Sequence, residues 1–415
     1  MRVAVIGAGA AGLATARVLR DAGHQPHIFE QGVRLGGIWA YEPRVEDDLL
    51  GLNPKKPVYS SIYDNLRTNL PSDLMAYPDY PFDERGGGQS DWPRYPHHSH
   101  VLTYLENFAR DFNLESLVSF AARVTSVVPN DGGWQLEVDR QGAVEVYDFD
   151  AVAVCNGHFS RPRVPEIPGA DQYSGMQLHS HNYRRPEIFA GKRVAVLGTG
   201  ASGADIVQEL KPHVTSLLWC GFSEANAPRG RLRQLPLPNE LTATGLSFGS
   251  DSIAADVILY CTGYLYDFPF LDAALVDVQD NHVAPLYRDI LPPDWPTLGL
   301  IGLPFLVVPF PLYEMQAKWF VATLSGRLRL PPPATMRAEI EVETNALLRD
   351  GVAPRHLHRL GARQDDYYNR LARECGEPDL IPEFGELARA AQASRQRNPA
   401  GFRDERLAIT LPRRG

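Results

Sequence analysis

The sequence predicts an α/β protein built from two doubly wound parallel-sheet units, the smaller inserted in the larger, with a helical C-terminal region. One observation is a repeat: residues 2–19 (RVAVIGAGAAGLATARVL) and 193–210 (RVAVLGTGASGADIVQEL) each read as apolar strand, glycine turn and amphipathic helix. A second is that further apolar strands, at 150–155 (DAVAVC) and 256–260 (DVILY), alternate with helical stretches such as 101–112. Such alternation favours parallel sheets that are covered by helices.

Proline-rich segments place the expected domain boundaries. The segment RPRVPEIPG at 161–169 closes the first part of the larger unit, and the stretch after Tyr264 that leads into Pro285 closes the second unit. We therefore expect residues 1–169 to begin the first unit, 170–284 to form the second, and 285–415 to complete the first and add C-terminal helices. Beyond about Pro331 the chain is polar, arginine-rich and helical in pattern.

The composition is that of an ordinary globular protein. Of 415 residues, 44% are hydrophobic and 22% are charged, and the formal net charge is −9. A mildly acidic chain with dispersed basic residues has no electrostatic reason to bind nucleic acid or an anionic membrane. The apolar run 298–312 is broken by glycines and prolines, whereas a membrane helix needs ~20 apolar residues, so it predicts buried strand and loop. Because a strand begins at Arg2 with no leader before it, we expect a cytoplasmic protein.

The cysteines and histidines do not indicate a metal or dithiol centre. The four cysteines, Cys155, Cys220, Cys261 and Cys375, lie far apart and form no CxxC pair, which indicates reduced thiols. His97, His98 and His100 resemble a metal cluster by composition, but they precede a helix with no carboxylate or cysteine at ligand spacing. We expect no metal.

The first glycine turn has the pattern of a dinucleotide site. Gly7, Gly9 and Gly12 form GxGxxG between a strand and a helix. In this pattern the glycines allow the tight turn, the approach of a pyrophosphate to the backbone and close helix–strand packing. The pyrophosphate then lies at the helix N-terminus, beside Ala10 and Ala11. Glu30 ends the next strand and is followed by Gln31, where an acid takes the ribose hydroxyls.

The second glycine turn repeats the arrangement with one difference. Gly198, Gly200 and Gly203 form the motif, with Ala201, Ser202 and Asp205 on the helix that follows. The corresponding strand, 215–220, ends in Cys220 and Phe222 rather than in the acid that would hold the 2′-hydroxyl of NAD. This favours NADP. Three nearby arginines could fold back to the strand end or could form a solvated loop cluster, and the sequence does not separate these alternatives: Arg229, Arg231 and Arg233.

Two dinucleotide units in one chain are typical of proteins that pass a hydride between nicotinamide and flavin. The electrons then go either to a protein dithiol or to O2. Since the chain has no redox-active cysteine pair, the disulfide-reductase alternative lacks its chemistry.

Several segments resemble one family. Residues 173–183 (YSGMQLHSHNY) are similar to the FxGxxxHxxx[FY] motif that identifies flavin-containing monooxygenases, with Tyr173 in place of Phe. The segments GGIW at 36–39, LRTNLP at 66–71 and CTGY at 261–264 also resemble family motifs, as do 154–169 and 309–319. The resemblance runs from Arg2 to about Arg327 and is greatest to soluble plant S-oxygenases.

The resemblance implies roles for particular residues. FAD would be bound by the first turn with Glu30, Gln31, Ile38 and Trp39, and Val124 and Gln316 would lie near it. Thr68 and Asn69 would stand between flavin and nicotinamide, and Asn69 would be the catalytic residue. NADPH would be lined by the second turn and the helix residues after it, including Ser202 and Asp205, with Tyr183, Thr262 and Gly263 nearby, and NADH use stays open. On residue chemistry alone, Asn69 would be assigned as a turn residue between Thr68 and Pro71.

The implied activity is S- or N-oxygenation. NAD(P)H would reduce FAD, O2 would form a C4a-hydroperoxyflavin, and a thioether or amine would be oxygenated at a site without water. A neutral amide suits such a site, because a carboxylic acid would deliver a proton. One rival is a Baeyer–Villiger monooxygenase that acts on ketones, although that family's motif ends in Trp where this chain has Tyr183. The other is an NAD(P)H oxidase that forms H2O2. The expected partners are a small sulfur or nitrogen substrate and O2, and a homodimer stays open.

Overall fold

The computed structural model describes residues 1–227 and 229–412. The strands in this part of the chain are β1 (Arg2–Ile6), β2 (Gln25–Phe29), β3 (Val118–Ser119), β4 (Arg123–Asn130), β5 (Gly133–Arg140), β6 (Ala143–Phe149), β7 (Ala151–Val154), β8 (Arg161–Pro162), β9 (Met176–His179), β10 (Arg193–Leu197), β11 (Ser216–Cys220), β12 (Leu232–Leu235), β13 (Glu240–Thr242), β14 (Gly245–Phe248), β15 (Asp251–Ala254), β16 (Val257–Tyr260), β17 (Tyr264–Leu265), β18 (Asp277–Gln279), β19 (His282–Ala284) and β20 (Leu298–Leu300).

The α-helices of the described residues are α1 (Ala10–Asp21), α2 (Ser72–Met75), α3 (His98–Asp111), α4 (Ala201–Leu210), α5 (Pro309–Leu324), α6 (Pro333–Arg349), α7 (Gln364–Cys375) and α8 (Pro382–Arg397). Short 3-10 turns occupy Gly37–Trp39, Glu115–Leu117, Ser180–Asn182, Pro186–Phe189, Pro354–His356, Gly361–Arg363 and Phe402–Asp404. None of the α-helices found among these residues has the length and apolar character that crossing a bilayer demands.

The first sheet is parallel, with the order β20-β7-β1-β2-β3. Strand β1 lies at its centre, where Val3, Ala4 and Val5 are fully buried. The apolar faces of α1 and α5 pack on one side of this sheet, in a core cluster that also contains residues of α3. The antiparallel sheet β4-β5-β6 covers the other side, in a second cluster around Trp134.

The second sheet has the order β12-β11-β10-β16-β9 and is also parallel. All its strands fall between β7 and β20 in the chain, so the smaller unit is inserted in the larger one, and the predicted fold class is confirmed. The structure favours an earlier end for the inserted unit than the expected boundary at 284. Buried side chains from Tyr266 onward, including Phe270 and Val283, pack in the core of the first sheet rather than of the second.

The last residues of the apolar run 298–312 form a helix, whereas the sequence predicts strand and loop for the whole run. It begins as expected with strand β20 and a loop, but Pro309 starts α5 and Pro311 lies in its first turn. Proline is tolerated there because the first N–H groups of a helix have no partner within the helix. The helical pattern after Pro331 corresponds to α6, α7 and α8.

Candidate cofactor sites and active site

The first glycine turn lies at the carboxyl edge of the first sheet. Gly7 follows β1 with a φ of +106°, and a Cβ added to it would lie 2.6 Å from the carbonyl oxygen of Cys155, which follows β7. A Cβ on Gly12 would lie 1.9 Å from the carbonyl oxygen of Gly7, whereas one on Gly9 would meet only Gly37, at 3.4 Å. Gly7 and Gly12 are therefore required by packing, whereas packing within the protein does not require a glycine at position 9.

The helix that follows this turn begins without a side-chain cap. Gly9 is the N-cap residue of α1 and offers no side-chain acceptor, so the first backbone N–H groups of Ala10 and Ala11 have no capping side chain. Uncapped N–H groups and the positive end of the helix dipole suit a pyrophosphate. The chemistry of these donors fits the dinucleotide that the sequence predicts here.

Glu30 lies beside this turn at the end of β2. Its carboxylate accepts hydrogen bonds from the backbone N–H groups of Ala8 (2.8 Å) and Gly32 (2.7 Å). Burial raises the pKa of Glu30, although these two bonds act in the opposite direction. Glu30 thus places a partly buried carboxylate at the strand end, where the sequence predicts a ribose contact. Gln31, the next residue, is exposed.

The GGIW segment packs on the same turn. The N–H of Gly36 donates to the carbonyl of Ala8 (2.9 Å), and a Cβ on Gly37 would lie 3.0 Å from the Cα of Gly9. Ile38 and Trp39 continue it as a 3-10 turn. The predicted FAD residues of these two segments therefore lie together in space.

The second turn repeats the first at the carboxyl edge of the second sheet. Gly198 has a φ of +117°, and its Cβ would lie 2.2 Å from the carbonyl oxygen of Cys261. A Cβ on Gly203 would lie 2.2 Å from the carbonyl oxygen of Gly198, whereas one on Gly200 would meet nothing within 4 Å. Gly200 is the uncapped N-cap residue of α4, and Ala201 and Ser202 are exposed. The structure thus brings these residues together at a second open helix N-terminus.

The edge of β11 determines what the second site can offer to a 2′-phosphate. Phe222, beyond the strand end, packs edge-on against Trp219 with a centroid distance of 5.0 Å. Arg231 binds the carbonyl of Val214 (2.9 Å), which precedes β11, and Arg229 forms a bridge with Leu232 at the start of β12. Because β11 and β12 are parallel, Arg229 and Arg231 lie at the amino edge, away from the glycine turn. The alternative in which these two arginines fold back is therefore not supported.

Thr262 and Gly263 form the turn after β16. The Thr262 hydroxyl donates to the carbonyl of Arg163, and the N–H of Arg163 donates to the carbonyl of Gly263 (2.9 Å). The register of β16 with β10 places this turn beside Gly198.

Three predicted cofactor residues are more enclosed. Tyr183 is fully buried and donates its hydroxyl to Glu209 in α4 (2.7 Å). Gln316 is fully buried in α5 and accepts from the N–H of Gly302 (2.9 Å). Val124 lies in β4, directly before the irregular register of the β4–β5 pair.

Asn69 lies on an exposed turn of a segment that connects the two sites. Earlier in this segment, the Ser60 hydroxyl donates to the carbonyl of Ile38 (2.8 Å) in the GGIW turn. The Tyr63 hydroxyl then donates to the carboxylate of Asp205 in α4. Thr68 is buried and its N–H donates to the carbonyl of Pro96 (2.9 Å). Asn69 is thus on a segment that is hydrogen-bonded at both predicted cofactor units.

The buried histidines and cysteines are consistent with structural roles. His97 is the N-cap of α3, and no group of metal-ligating side chains occurs in residues 1–227 and 229–412. Burial lowers the pKa of His179 to about 3, and its ring accepts from the N–H of His181 (3.1 Å). Burial raises the pKa of Cys155 and Cys261 to about 12. These thiols are free and inert.

Sequence reasoning missed two arginines that organise the site. Arg184, buried and directly after the motif ending in Tyr183, donates to five backbone carbonyls, at Glu42, Arg44, Ser60, His181 and Tyr183. Its adjacency to the motif was the available signal. Arg403 contacts Thr68, 335 positions earlier, and Asp205, 198 positions earlier, and no sequence spacing gives a signal for either contact.

The fold and these two edges define a class: a protein with two dinucleotide units, each with a glycine turn at the carboxyl edge of a parallel sheet. The model of the family described as flavin-binding monooxygenase-like matches residues 1–221 and 236–378. Two relatives come from Arabidopsis thaliana: FMO GS-OX-like 3 is 38% identical over 97% of this chain and 93% of its own length, and FMO GS-OX5 is 41% identical over 91% and 85%. The chain belongs to the flavin-containing monooxygenase family, which confirms the resemblance and makes it a flavoprotein oxidoreductase.

Solved structures agree with this assignment. S-allyl-L-cysteine S-oxygenase from Allium sativum has a TM-score of 0.92 at 38% identity and matches 97% of this chain and 95% of its own. Tmm from Pelagibacter shares the fold with a TM-score of 0.82 at 24% identity over 98% and 93%. A cyclohexanone monooxygenase shares the fold with a TM-score of 0.61 at 17% identity, over 90% and 98%.

Proposed function

We propose that this flavin monooxygenase uses NADPH and O2 to oxygenate the sulfur of a small thioether. The observation that carries the proposal is the match to the S-allyl-L-cysteine S-oxygenase over nearly the whole of both chains. Oxygenation of an amine nitrogen is the same chemistry on another soft nucleophile and is the second substrate class. The shared fold of a cyclohexanone monooxygenase does not favour ketones, since that identity is only 17%.

Bound flavin supplies the activation of O2, and bound nicotinamide dinucleotide supplies the hydride. The first turn and Glu30 hold FAD, and the second turn holds the nicotinamide dinucleotide through the uncapped N-terminus of α4. Because the end of β11 has neither an acid nor an arginine, we expect a modest preference between NADPH and NADH.

Asn69 is the residue we assign to the reacting centre. The amide is exposed, and within the described residues its side chain has no hydrogen bond to another protein group. A neutral amide can donate and accept hydrogen bonds without gaining or losing a proton at neutral pH. A thioether sulfur has a lone pair and no proton to remove, so this site does not require a nucleophile–base pair. Asn69 thus orients and stabilises reacting groups without introducing a charge.

The test is a product balance on the FAD-loaded protein. NADPH consumption, H2O2 and oxygenated product are measured together with S-allyl-L-cysteine, a tertiary amine and cyclohexanone as substrates. We expect sulfoxide in near-equal amount to the NADPH consumed. A lactone from cyclohexanone without sulfoxide would replace the proposal by Baeyer–Villiger chemistry. H2O2 without any oxygenated product would replace it by an oxidase activity.

A further inference from the structure

Arg403 in the C-terminal 3-10 turn is the centre of an unusual set of contacts. Its Nε donates to the carbonyl of Thr68 (3.0 Å) and its Nη2 to the carbonyl of Arg67 (3.1 Å). Its Nη1 donates to Oδ1 of Asp205 in α4 (2.7 Å). One guanidinium therefore binds both the backbone directly before Asn69 and the helix that begins at the second glycine turn.

The segment before Asn69 also contacts the C-terminal turn through its own side chain, that of Arg67. Arg67 donates from Nη1 to the carboxylate of Asp404 (2.9 Å) and from Nε to the carbonyl of Tyr95 (3.0 Å). The second carboxylate oxygen of Asp205 accepts from the Tyr63 hydroxyl. We name the set Tyr63, Arg67, Asp205, Arg403 and Asp404 the C-terminal latch.

The latch is enclosed where it meets α4. The side chains of Arg403 and Asp205 are 16% and 18% exposed, whereas Asp404 is 75% exposed. When one partner of a pair so far removed from water is lost, the folded protein is strongly destabilised, because the other charge stays buried and unpaired. An exposed pair such as Arg67–Asp404 contributes little. The Arg403–Asp205 contact therefore dominates the latch.

We propose that Arg403 and Asp205 are positioning residues that set the distance of Asn69 from the nicotinamide-dinucleotide unit; this rests on the function proposed above. Both carboxylate oxygens of Asp205 accept hydrogen bonds from protein donors, so Asp205 acts through the latch rather than as the direct dinucleotide contact that the family resemblance implies. The Thr68 carbonyl held by Arg403 belongs to the peptide group that joins Thr68 to Asn69. A shift of the C-terminal turn is thus transmitted to the reacting amide.

The geometry explains why the central residue is arginine. The planar guanidinium presents N–H donors in fixed, divergent directions, which lets one side chain bind two carbonyls and a carboxylate. A lysine ammonium can keep the ion pair with Asp205 but cannot reproduce that fixed fork.

The experiment compares Arg403→Gln with Arg397→Gln in the FAD-loaded protein. Arg397 lies on the same C-terminal segment and pairs with Glu405 (2.8 Å), with its side chain 68% exposed, so it is a matched control. For each variant we would measure FAD content, Tm, the Kd for NADP+ and the oxygenated product formed per NADPH. We expect Arg403→Gln to keep its FAD and to bind NADP+ about tenfold more weakly. A tenfold change in Kd is within the range of coupling free energies that are measured for residues in contact. Product per NADPH should fall by about tenfold or more, because small misplacement of a reacting group is costly.

A double-mutant cycle separates the latch from a general structural role. Asp205→Asn should resemble Arg403→Gln, and the double variant should be no worse than either single variant, because both remove the same contact. Arg403→Lys should be intermediate in NADP+ affinity and product yield. If Arg403→Gln does not fold, Asp205→Asn and Arg403→Lys provide the same comparison.

Two outcomes would overturn the latch. In the first, Arg403→Gln, or Asp205→Asn and Arg403→Lys in its place, has the same NADP+ affinity and product yield as Arg397→Gln. In the second, NADP+ affinity and product yield fall only in parallel with Tm and FAD content. Failure of the proposed function is distinct, since the unmodified protein would then form no sulfoxide or N-oxide at all.

Discussion

Replacement of Gly200 by alanine should weaken nicotinamide-dinucleotide binding without harming the fold. Gly200 has φ −71° and ψ −172°, an extended conformation that any residue adopts, and no atom lies within 4 Å of the added Cβ. The change lowers the entropy of the unfolded chain, worth about 0.4–1 kcal/mol, but alanine is a poorer N-cap than glycine for α4, so the free energy of unfolding should change by less than about 1 kcal/mol. The methyl group projects into the space where the pyrophosphate approaches the backbone.

Gly203→Ala is the matched comparison, three residues further along the same motif. Here the added Cβ would lie 2.2 Å from the carbonyl oxygen of Gly198, so helix α4 must move away from β10. Such overpacking typically costs about 1–3 kcal/mol. Gly203→Ala should therefore lower Tm, whereas Gly200→Ala should keep Tm close to that of the unmodified protein.

The assays are Tm, the FAD content of purified protein and the Kd for NADP+ from calorimetry. For Gly200→Ala we expect full FAD content and an NADP+ affinity weaker by at least about tenfold, equivalent to about 1.4 kcal/mol. A Gly200→Ala protein that binds NADP+ as tightly as the unmodified protein would refute the assignment of this turn to the dinucleotide. A loss of Tm in Gly200→Ala as large as that in Gly203→Ala would contradict the conclusion that the space in front of Gly200 is open.

Three further predictions follow from single residues. Asn69→Asp should keep FAD and NADPH consumption, but product formation should fall about a hundredfold, or about 3 kcal/mol of barrier, because a carboxyl group adds a charge or a titratable proton. H2O2 should rise, and an unchanged product yield would show that Asn69 does not act at the reacting centre. Phe222→Arg should sharpen the NADPH preference in kcat/KM, because a guanidinium binds phosphate bidentately, and the unmodified protein should use NADH with a penalty of at most ~2 kcal/mol; strict NADPH use would contradict this. The pKa of His179 is lowered to about 3 in the folded protein from an ordinary value of about 6.5, so stability present above pH ~6.5 is lost as pH falls. His179→Asn keeps an acceptor for the N–H of His181. Urea titrations should show that it reduces the dependence of the unfolding free energy on pH between pH 6 and 4 by up to about 1.4 kcal/mol per pH unit. An unchanged dependence would contradict the lowered pKa of His179.

The features that the sequence predicts are those that local spacing determines. The two glycine turns, their strands and their helices follow from period and from glycine positions, because each motif is a continuous segment. The end of the run 298–312 is predicted as loop because of its prolines, but Pro309 and Pro311 lie in the first turn of α5, which accepts proline. Where Arg229 and Arg231 point depends on the register of β12 with β11, and no local pattern determines that register.

The candidate active site depends far more on distant contacts. The sequence places Asn69 only through family resemblance, since its neighbours are turn formers. In the structure, its segment is hydrogen-bonded to Asp205 through Tyr63, and to Arg403, which lies 335 residues beyond Thr68. Neither interaction follows from hydrophobic period or motif spacing. Tertiary ion pairs of this kind are visible only once both sheets are assembled.

The two glycine turns share a motif but differ in their surroundings, and the difference fits the roles that we propose for the two units. At the first turn, Gly37 stands 3.4 Å from where a Cβ of Gly9 would be, and the GGIW segment is hydrogen-bonded to Ala8. The packing of the GGIW segment on this turn suits a cofactor that stays bound while it is reduced and reoxidised. At the second turn the space in front of Gly200 is open. An open site suits a nicotinamide dinucleotide, which must leave and be replaced in every turnover, because each molecule carries one hydride.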